Sequence, residues 1–226
     1  ASIQQVTEEI MIKLALSISK EFKIENLCLA GGVALNCVAN GKIKQKTKFK
    51  NIWIQPASGD AGCSIGAALA FYYKYSANSR KVVPSDSMQG SYLGNEYSEK
   101  EIKNILNKVG AVYEEIDGID NTVKKISKLL AQGNSIGWFQ GKMEFGPRAL
   151  GARSIIADPR SDKMQKELNL KVKFRESFRP FAPSVLREDL SDWFDLNYDS
   201  PYMLLVADVK KNKQIEMKEH ENKLFG

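Results

Sequence analysis

The chain has 226 residues, of which 43% are hydrophobic and 27% charged, and it carries a formal net charge of +6. This composition is typical of a globular protein with one large or two small domains. No apolar run approaches the roughly 20 residues that a membrane-spanning helix needs, and with one histidine, His220, the chain has almost nothing from which to build a histidine-based metal site or a Ser-His-Asp triad.

The cysteines and the start of the chain bear on its compartment. Cys28, Cys37 and Cys63 all lie in the first third and form no CxxC pair. An odd number of scattered cysteines is typical of reduced thiols in a cytoplasm. The first residues follow an amphipathic helix pattern and not that of a signal peptide. These observations predict a cytoplasmic protein.

The first third of the chain alternates between strand and helix patterns. Apolar residues at helical spacing predict a helix over 3–20. Two short apolar runs, 26–30 and 51–55, predict strands, the first of them a buried parallel strand. Each strand is followed by a glycine turn and then by a helix, over 33–44 and 60–75. This alternation predicts a parallel α/β layer, and the small residues of 60–75 predict a helix that packs closely on a neighbour.

The rest of the chain begins with a polar stretch without periodicity. Residues 77–90 are predicted to be a linker, with a boundary near Pro84. A capping box from Ser98 to Glu101 opens a predicted helix over 98–109, and a second helix is predicted over 121–132. Strands are predicted over 112–116 and 135–139. The last strand leads into a segment that is unusually rich in cations.

This segment, the arginine stretch, covers residues 141–179. It holds ten Lys/Arg against five Asp/Glu, an excess that accounts for most of the +6. Its arginines alternate with glycine, proline and apolar residues, unlike those of a solvated helix face. Arginine grips phosphate bidentately, and neighbouring glycines let backbone N–H groups approach an anion. We interpret the stretch as a pocket for a phosphate-bearing small molecule; an exposed basic surface with a few ion pairs is the alternative.

Two glycine-rich loops follow the first two predicted strands. Gly31-Gly32 to Asn36 forms one, and Ser58 to Gly62 forms the other. In parallel sheets ligands bind at this edge, where helix N-termini favour anions. Asn36 is a candidate for bonding a nucleobase or ribose, and Asp60 is either a helix N-cap or a metal ligand. The two loops together favour a nucleotide site, although each alone could simply form a tight turn.

Four blocks in sequence carry a resemblance: CLAGGVALNCVANGKI, IQPASGDAGCSIGAALA, GKMEFGPRALGARSIIADPRS and FRESFRPFAPSVL. Together they resemble the O-carbamoyltransferases of the nodulation-protein and antibiotic-tailoring group. The resemblance implies an α/β (α+β mixed) protein in two parts. Residues 1–85 would be the second half of a carbamoyl-transfer domain of the actin/Hsp70/sugar-kinase type, close to the tRNA threonylcarbamoyl-transfer proteins. Residues 86–226 would be most of a YrdC-like domain.

The resemblance also implies an activity. The rear domain would combine carbamoyl phosphate with ATP to form carbamoyl-adenylate and pyrophosphate. The front domain would pass the carbamoyl group to a hydroxyl-bearing small molecule, with a divalent metal, iron being favoured, and with magnesium accompanying the ATP. Carried over to this chain, the implied catalytic residues are Lys142, Arg148 and Arg153, the binding residues are Gly31, Gly32, Asn36, Ser154, Arg175 and Arg179, and the metal ligand is Asp60.

The departures from the family pattern limit these expectations. Family members are far longer, and the histidine metal ligands fall in a part with no counterpart here, so we interpret the chain as a fragment. A threonylcarbamoyl-adenylate protein of tRNA modification and a basic RNA-binding module are the alternatives. The resemblance implies neither a membrane nor a nucleic-acid partner, and a homodimer stays open.

Overall fold

The computed structural model describes residues 2–216. It is a mixed α/β structure with seven α-helices, four short strands and several 3-10 or π-type turns among the described residues. The helices are α1 (Ser2–Phe22), α2 (Cys37–Lys46), α3 (Asp60–Ala70), α4 (Glu99–Lys108), α5 (Ile119–Ala131), α6 (Met164–Glu167) and α7 (Leu190–Trp193). The strands are β1 (Asn26–Leu29), β2 (Asn51–Ile54), β3 (Ile136–Phe139) and β4 (Arg153–Ile156). The α/β fold class is thus confirmed; the actin-like and YrdC-like assignments stay predictions.

The parallel layer of the first third is present. Strands β1 and β2 pair in parallel, with Leu27 opposite Ile52. Helices α1 and α2 pack against each other beside this sheet, and Ala15, Leu27, Ile43 and Phe49 form a buried cluster between them. Strand β1 is not buried throughout as predicted, because Leu27 is its one buried residue and Cys28 is exposed.

Helix α2 begins later than its sequence pattern suggested. A 3-10 turn over Gly32–Leu35 comes first, and the α-helix starts at Cys37 with Asn36 as its N-cap. The side chain of Asn36 accepts a hydrogen bond from the N–H of Ala39, 3.1 Å away. Such a cap satisfies a backbone donor that has no intrahelical partner, and this fixes the start of the helix.

A segment from near the C-terminus, residues 202–206, packs against the first third of the chain. Leu204 is buried with Ala34 and Ile54 in a second apolar cluster. The side-chain amide of Asn40 donates to the carbonyl oxygens of Ala34 and Leu204 at 2.8 and 3.0 Å. This late segment and the first third of the chain are therefore held together by apolar packing and buried hydrogen bonds. The domain boundary at 85/86 stays a prediction.

In the middle of the chain, the sequence predicted the helices better than the strands. Helix α4 opens with the predicted capping box between Ser98 and Glu101. Strand β3 is confirmed, and it pairs antiparallel with β4, which was not predicted because its residues were interpreted only as part of the arginine stretch. The predicted strand over 112–116 is wrong: this segment is irregular, and Val112 is fully exposed with no strand beside it among the described residues.

Large apolar surfaces lie open in this chain. Helix α1 exposes Ile3, Val6, Ile10, Leu14 and Ile18. Helix α3 has no buried residue, so its predicted close packing is not found within residues 2–216. Among the described helices none is long and apolar enough to cross a membrane.

Candidate functional site

The first glycine loop lies at the carboxyl end of β1. Gly31 has a φ of 97°, a left-handed conformation that glycine adopts without strain, and it leads into the 3-10 turn over Gly32–Leu35. Both Gly31 and Gly32 are exposed, and a Cβ at either position would meet no atom within 4 Å. The turn therefore leaves open space at its glycines, as an approaching ligand requires.

Asn36, a predicted nucleotide ligand, already has protein partners. Its amide nitrogen donates to Gln4 Oε1 at 2.9 Å, and its oxygen accepts from Gln4 Nε2 at 3.2 Å. The same oxygen also accepts the capping bond from Ala39. These three bonds give Asn36 a structural role in joining α1 to the start of α2, and its contact with a nucleotide stays a prediction.

The second glycine loop follows a buried segment of the chain. Pro56, Ala57 and Ser58 are buried, and the hydroxyl oxygen of Ser58 has no hydrogen-bond partner among the described residues. Gly59 occupies the N-cap position of α3, and Asp60 follows as the first helical residue. The N-cap interpretation of Asp60 is therefore wrong, because its side chain lies one position too late and makes no capping hydrogen bond.

Asp60 is also isolated as a metal ligand. Residues 2–216 contain no group of three or more His, Cys, Asp or Glu side chains that could hold a metal ion. A single exposed carboxylate does not supply the several ligands that a bound divalent metal requires. The described residues do not fit a metal centre on their own. The one histidine, His220, lies outside the described residues.

The arginine stretch contacts the first glycine loop and the residue before the second. We define the arginine loop as residues 146–152, between β3 and β4. Gly146 has a φ of 124°, and a Cβ at this position would lie 3.1 Å from the Ala57 Cβ, so only glycine lets the chain come this close. The Nη2 atom of Arg148 then donates to the carbonyl oxygen of Leu35, 2.9 Å away.

Arg148 thus bridges the rear part of the chain to the first glycine loop. Its Nε atom is buried and has no hydrogen-bond partner within the described part of the chain. A buried guanidinium N–H without an acceptor is costly, and it marks a place where a further acceptor is needed. This is the site residue whose surroundings most directly favour an anion.

Arg153 behaves differently from Arg148. Its Nε donates to Glu144 Oε2 at 2.9 Å, and its Nη2 donates to the Glu144 carbonyl oxygen at 3.0 Å. The interpretation of the arginine stretch as a phosphate pocket did not anticipate this pairing of Arg153 with a protein carboxylate, and a contact of Arg153 with phosphate stays a prediction. The sequence did not reveal this pair, because nine residues in an irregular loop give no spacing signal.

Glu144 is the residue that sequence analysis missed. Its side chain is 0% exposed. Its Oε1 atom accepts from the N–H groups of Leu150, Ala152 and Arg153, at 2.6, 2.8 and 3.2 Å. Burial raises the pKa of this carboxyl, but the hydrogen bonds from the Leu150 N–H, the Arg153 side chain and the Ala152 N–H outweigh it and lower the pKa to about 2.

Two further candidates flank the arginine loop. Ser154 lies in β4, and its hydroxyl accepts from the N–H of Gly151 at 3.0 Å. Lys142 is exposed and, within residues 2–216, makes no ion pair. Ser154 therefore supports the loop from within the protein, whereas Lys142 is accessible to a ligand.

Arg175 and Arg179 belong to a separate cluster around Asn169. This asparagine is fully buried, and its oxygen accepts from Arg175 Nε at 2.6 Å. The guanidinium of Arg175 also lies 4.9 Å from the centre of the Phe181 ring. Arg179 pairs with Glu176 at 2.8 Å on the surface. In the described part of the chain no hydrogen bond or ion pair joins these two arginines to the arginine loop.

Comparison with known proteins gives matches at both ends of the chain. The family profile described as the carbamoyltransferase N-terminus matches residues 1–69, and that described as the carbamoyltransferase C-terminus matches residues 127–223. A Synechocystis protein whose name states that it is uncharacterized is 54% identical over 228 residues, which cover 100% of this chain and 37% of that protein.

Two nodulation proteins are also similar. Nodulation protein NolNO of Sinorhizobium fredii is 39% identical over 95% of this chain and 31% of its own length. Nodulation protein NolO of Bradyrhizobium diazoefficiens is 38% identical over 94% of this chain and 39% of its own length. The chain thus spans about a third of the length of the curated relatives it matches.

Proposed function

Because the chain belongs to the carbamoyltransferase family, we propose that the protein containing it transfers a carbamoyl group, and that it forms carbamoyl-adenylate from carbamoyl phosphate and ATP before passing the group to a hydroxyl. The Arg148–Leu35 contact carries the structural side of this proposal. It supports one site that is shared by the arginine loop and the first glycine loop.

The proposed chemistry needs cations near phosphate oxygens. In a balanced sequence, water releases phosphate from carbamoyl phosphate and leaves carbamate. A carbamate oxygen attacks the α-phosphorus of ATP and pyrophosphate leaves, and the acceptor hydroxyl then attacks the carbamoyl carbon and AMP leaves. Each displacement builds charge on phosphate oxygens, which a fixed guanidinium stabilises. We assign this role to Arg148, with Lys142 as the accessible second cation.

The remaining candidates take supporting places in this proposal. Gly31 and Gly32 provide open space for the adenylate, and Ser154 holds the arginine loop. Arg175 and Arg179 belong to the separate cluster around Asn169, so they would contact the nucleotide only if this cluster rearranged towards the arginine loop. A metal, if the longer protein uses one, would need ligands other than Asp60, and no step is assigned to it.

The experiment is an assay of pyrophosphate release in the longest protein that contains this chain. We expect release when ATP and carbamoyl phosphate are both present, accompanied by phosphate from carbamoyl phosphate. Acetyl phosphate, which has the same leaving group but no carbamoyl nitrogen, is the matched control and should give none. Release that does not depend on carbamoyl phosphate, or no release at all, would contradict the proposal.

A second candidate, RNA binding, is favoured by one observation. Phe174 and Phe178 are 84% and 71% exposed, and they alternate with Lys173, Arg175 and Arg179. Exposed aromatic rings among cations are typical of single-stranded nucleic-acid sites. Titration with a single-stranded RNA at several salt concentrations tests this. Binding that weakens steeply with salt and is lost in Phe174→Ala would support RNA binding; no binding at low salt would exclude it.

A further inference from the structure

We propose that Glu144 is a positioning residue, which holds the arginine loop in the shape that delivers Arg148 to the first glycine loop. This inference rests on the proposed function. Glu144 cannot touch a substrate itself, because its side chain is 0% exposed. Its influence on the reaction must therefore pass through the loop that it binds.

The carboxylate anchors the C-terminal end of the arginine loop. Oε1 accepts from the N–H groups of Leu150, Ala152 and Arg153, and Oε2 accepts from Arg153 Nε. A carboxylate that accepts several backbone N–H groups fixes their directions together, and charge-assisted bonds of this kind are the stronger ones. The hydroxyl of Tyr92 adds a bond to the Leu150 carbonyl at 2.6 Å.

The N-terminal end of the loop is anchored by packing. Gly146 lies directly on Ala57, the residue before the second glycine loop. Arg148 is two residues from this contact and two residues from Leu150, so both neighbouring anchors constrain its backbone. Its guanidinium has one described acceptor, the Leu35 carbonyl, while Nε has none. The direction of Arg148 thus depends on the loop more than on bonds of its own.

This arrangement separates two arginines that look alike in the sequence. Arg153 pairs with the buried carboxylate of Glu144 and neutralises its charge, whereas Arg148 stays available for a ligand. Loss of the Glu144 charge should misplace Arg148 before it unfolds the protein. A purely structural carboxylate would instead change stability and leave the activity of each folded molecule unchanged.

The test compares Glu144→Gln with wild type in the longest protein that contains this chain. Kinetics of pyrophosphate release are measured per folded molecule. We expect kcat/KM for carbamoyl phosphate to fall about tenfold, the size of effect that one charge-assisted hydrogen bond gives. Asp158→Asn is the matched control: it removes a carboxylate that pairs with an arginine in the same stretch but lies outside the loop, and kcat/KM should stay within about twofold of wild type.

A double-mutant cycle with Arg148→Lys shows whether Glu144 acts through Arg148. If it does, adding Glu144→Gln to the Arg148→Lys variant should lower kcat/KM by less than about twofold, because the effects of coupled residues are not additive. An equal loss in both backgrounds would overturn the positioning role. So would unchanged hydrogen exchange in the peptide covering 146–153, which should exchange faster in Glu144→Gln.

The two levels of the proposal fail in different ways. A wild-type protein that releases no pyrophosphate would overturn the proposed function and, with it, the positioning role of Glu144 in that reaction. Normal wild-type activity with additive losses would overturn the positioning role alone and leave the function intact.

Discussion

The side-chain amide of Asn40 donates to the carbonyl oxygen of Leu204, 3.0 Å away and 164 positions later in the chain. The same nitrogen donates to the carbonyl oxygen of Ala34 at 2.8 Å. Asn40, Ala34 and Leu204 are all buried, so neither carbonyl has water as a substitute partner. One amide therefore ties the segment at 202–206 to the turn that precedes α2.

Asn40→Ala should destabilise the protein by about 2–3 kcal/mol, because it removes two buried hydrogen bonds and leaves the carbonyl of Leu204 without a donor. Urea unfolding followed by circular dichroism measures this. The matched control is Asn51→Ala, which removes an exposed side-chain bond to Asn26 and should change stability by less than about 0.5 kcal/mol. Equal losses in both variants would show that the burial of Asn40 has no consequence.

Acid should weaken the protein through Glu144. The pKa of its carboxyl is about 2 in the folded state and 4.5 in the ordinary case. The unfolded chain therefore binds this proton more readily, and stability rises with pH. The contribution, about 3 kcal/mol, is present above pH 4.5 and is lost as the pH falls towards 2.

Denaturant midpoints measured between pH 5 and about pH 2 test this contribution. Glu144→Gln should be less stable than wild type at pH 5 and should lose less stability on acidification. Glu176→Gln, which removes an exposed carboxylate of the arginine stretch, is the control and should follow the wild-type curve closely. A Glu144→Gln curve parallel to wild type would show that the carboxyl does not titrate with folding.

The elements that sequence analysis predicted correctly are those with local signals. Helix α4 was located by its capping box, and β3 by a short apolar run before a glycine turn. The predicted strand over 112–116 failed because an apolar run forms a strand only where a partner strand lies beside it. Strand β4 was missed because it depends on its pairing with β3, in which Ile156 lies opposite Ile136, and a long-range contact of this kind leaves no local signal in the sequence.

In the candidate site, too, the sequence predicted what depends on local residue types and missed what depends on long-range contacts. The convergence of the arginine stretch and glycine loops rests on Gly146 against Ala57 and on Arg148 at Leu35, contacts between segments about 90 and 113 residues apart. Residue types predicted that an anion site would form but could not tell Arg148 from Arg153. That difference depends on Glu144, whose partners are set by the folded loop and not by a periodic spacing.

Arg153→Met should reduce stability more than a typical surface substitution. It leaves the buried carboxylate of Glu144 without its cation, which costs roughly 3–5 kcal/mol. Chemical denaturation measures the loss. Arg160→Met is the matched control: Arg160 pairs with Asp158 but is 76% exposed, and its loss should cost less than about 1 kcal/mol. Similar losses in the two variants would contradict the structural role of Arg153.

Arg148→Lys should keep the fold and weaken adenylate formation. The lysine ammonium can still reach one acceptor such as the Leu35 carbonyl, but it lacks the planar fork of the guanidinium. In Arg148 the Nε atom of this fork has no hydrogen-bond partner among residues 2–216 and is available to an anion. Loss of one charge-assisted contact predicts a fall of about ten- to a hundredfold in kcat/KM for pyrophosphate release. Arg160→Lys, an exposed arginine of the same stretch, should leave the rate unchanged. Thermal melting of both variants reports on folding. A drop of many degrees in Arg148→Lys with unchanged activity per folded molecule would show that Arg148 serves only the contact with Leu35, and that the anion binds elsewhere.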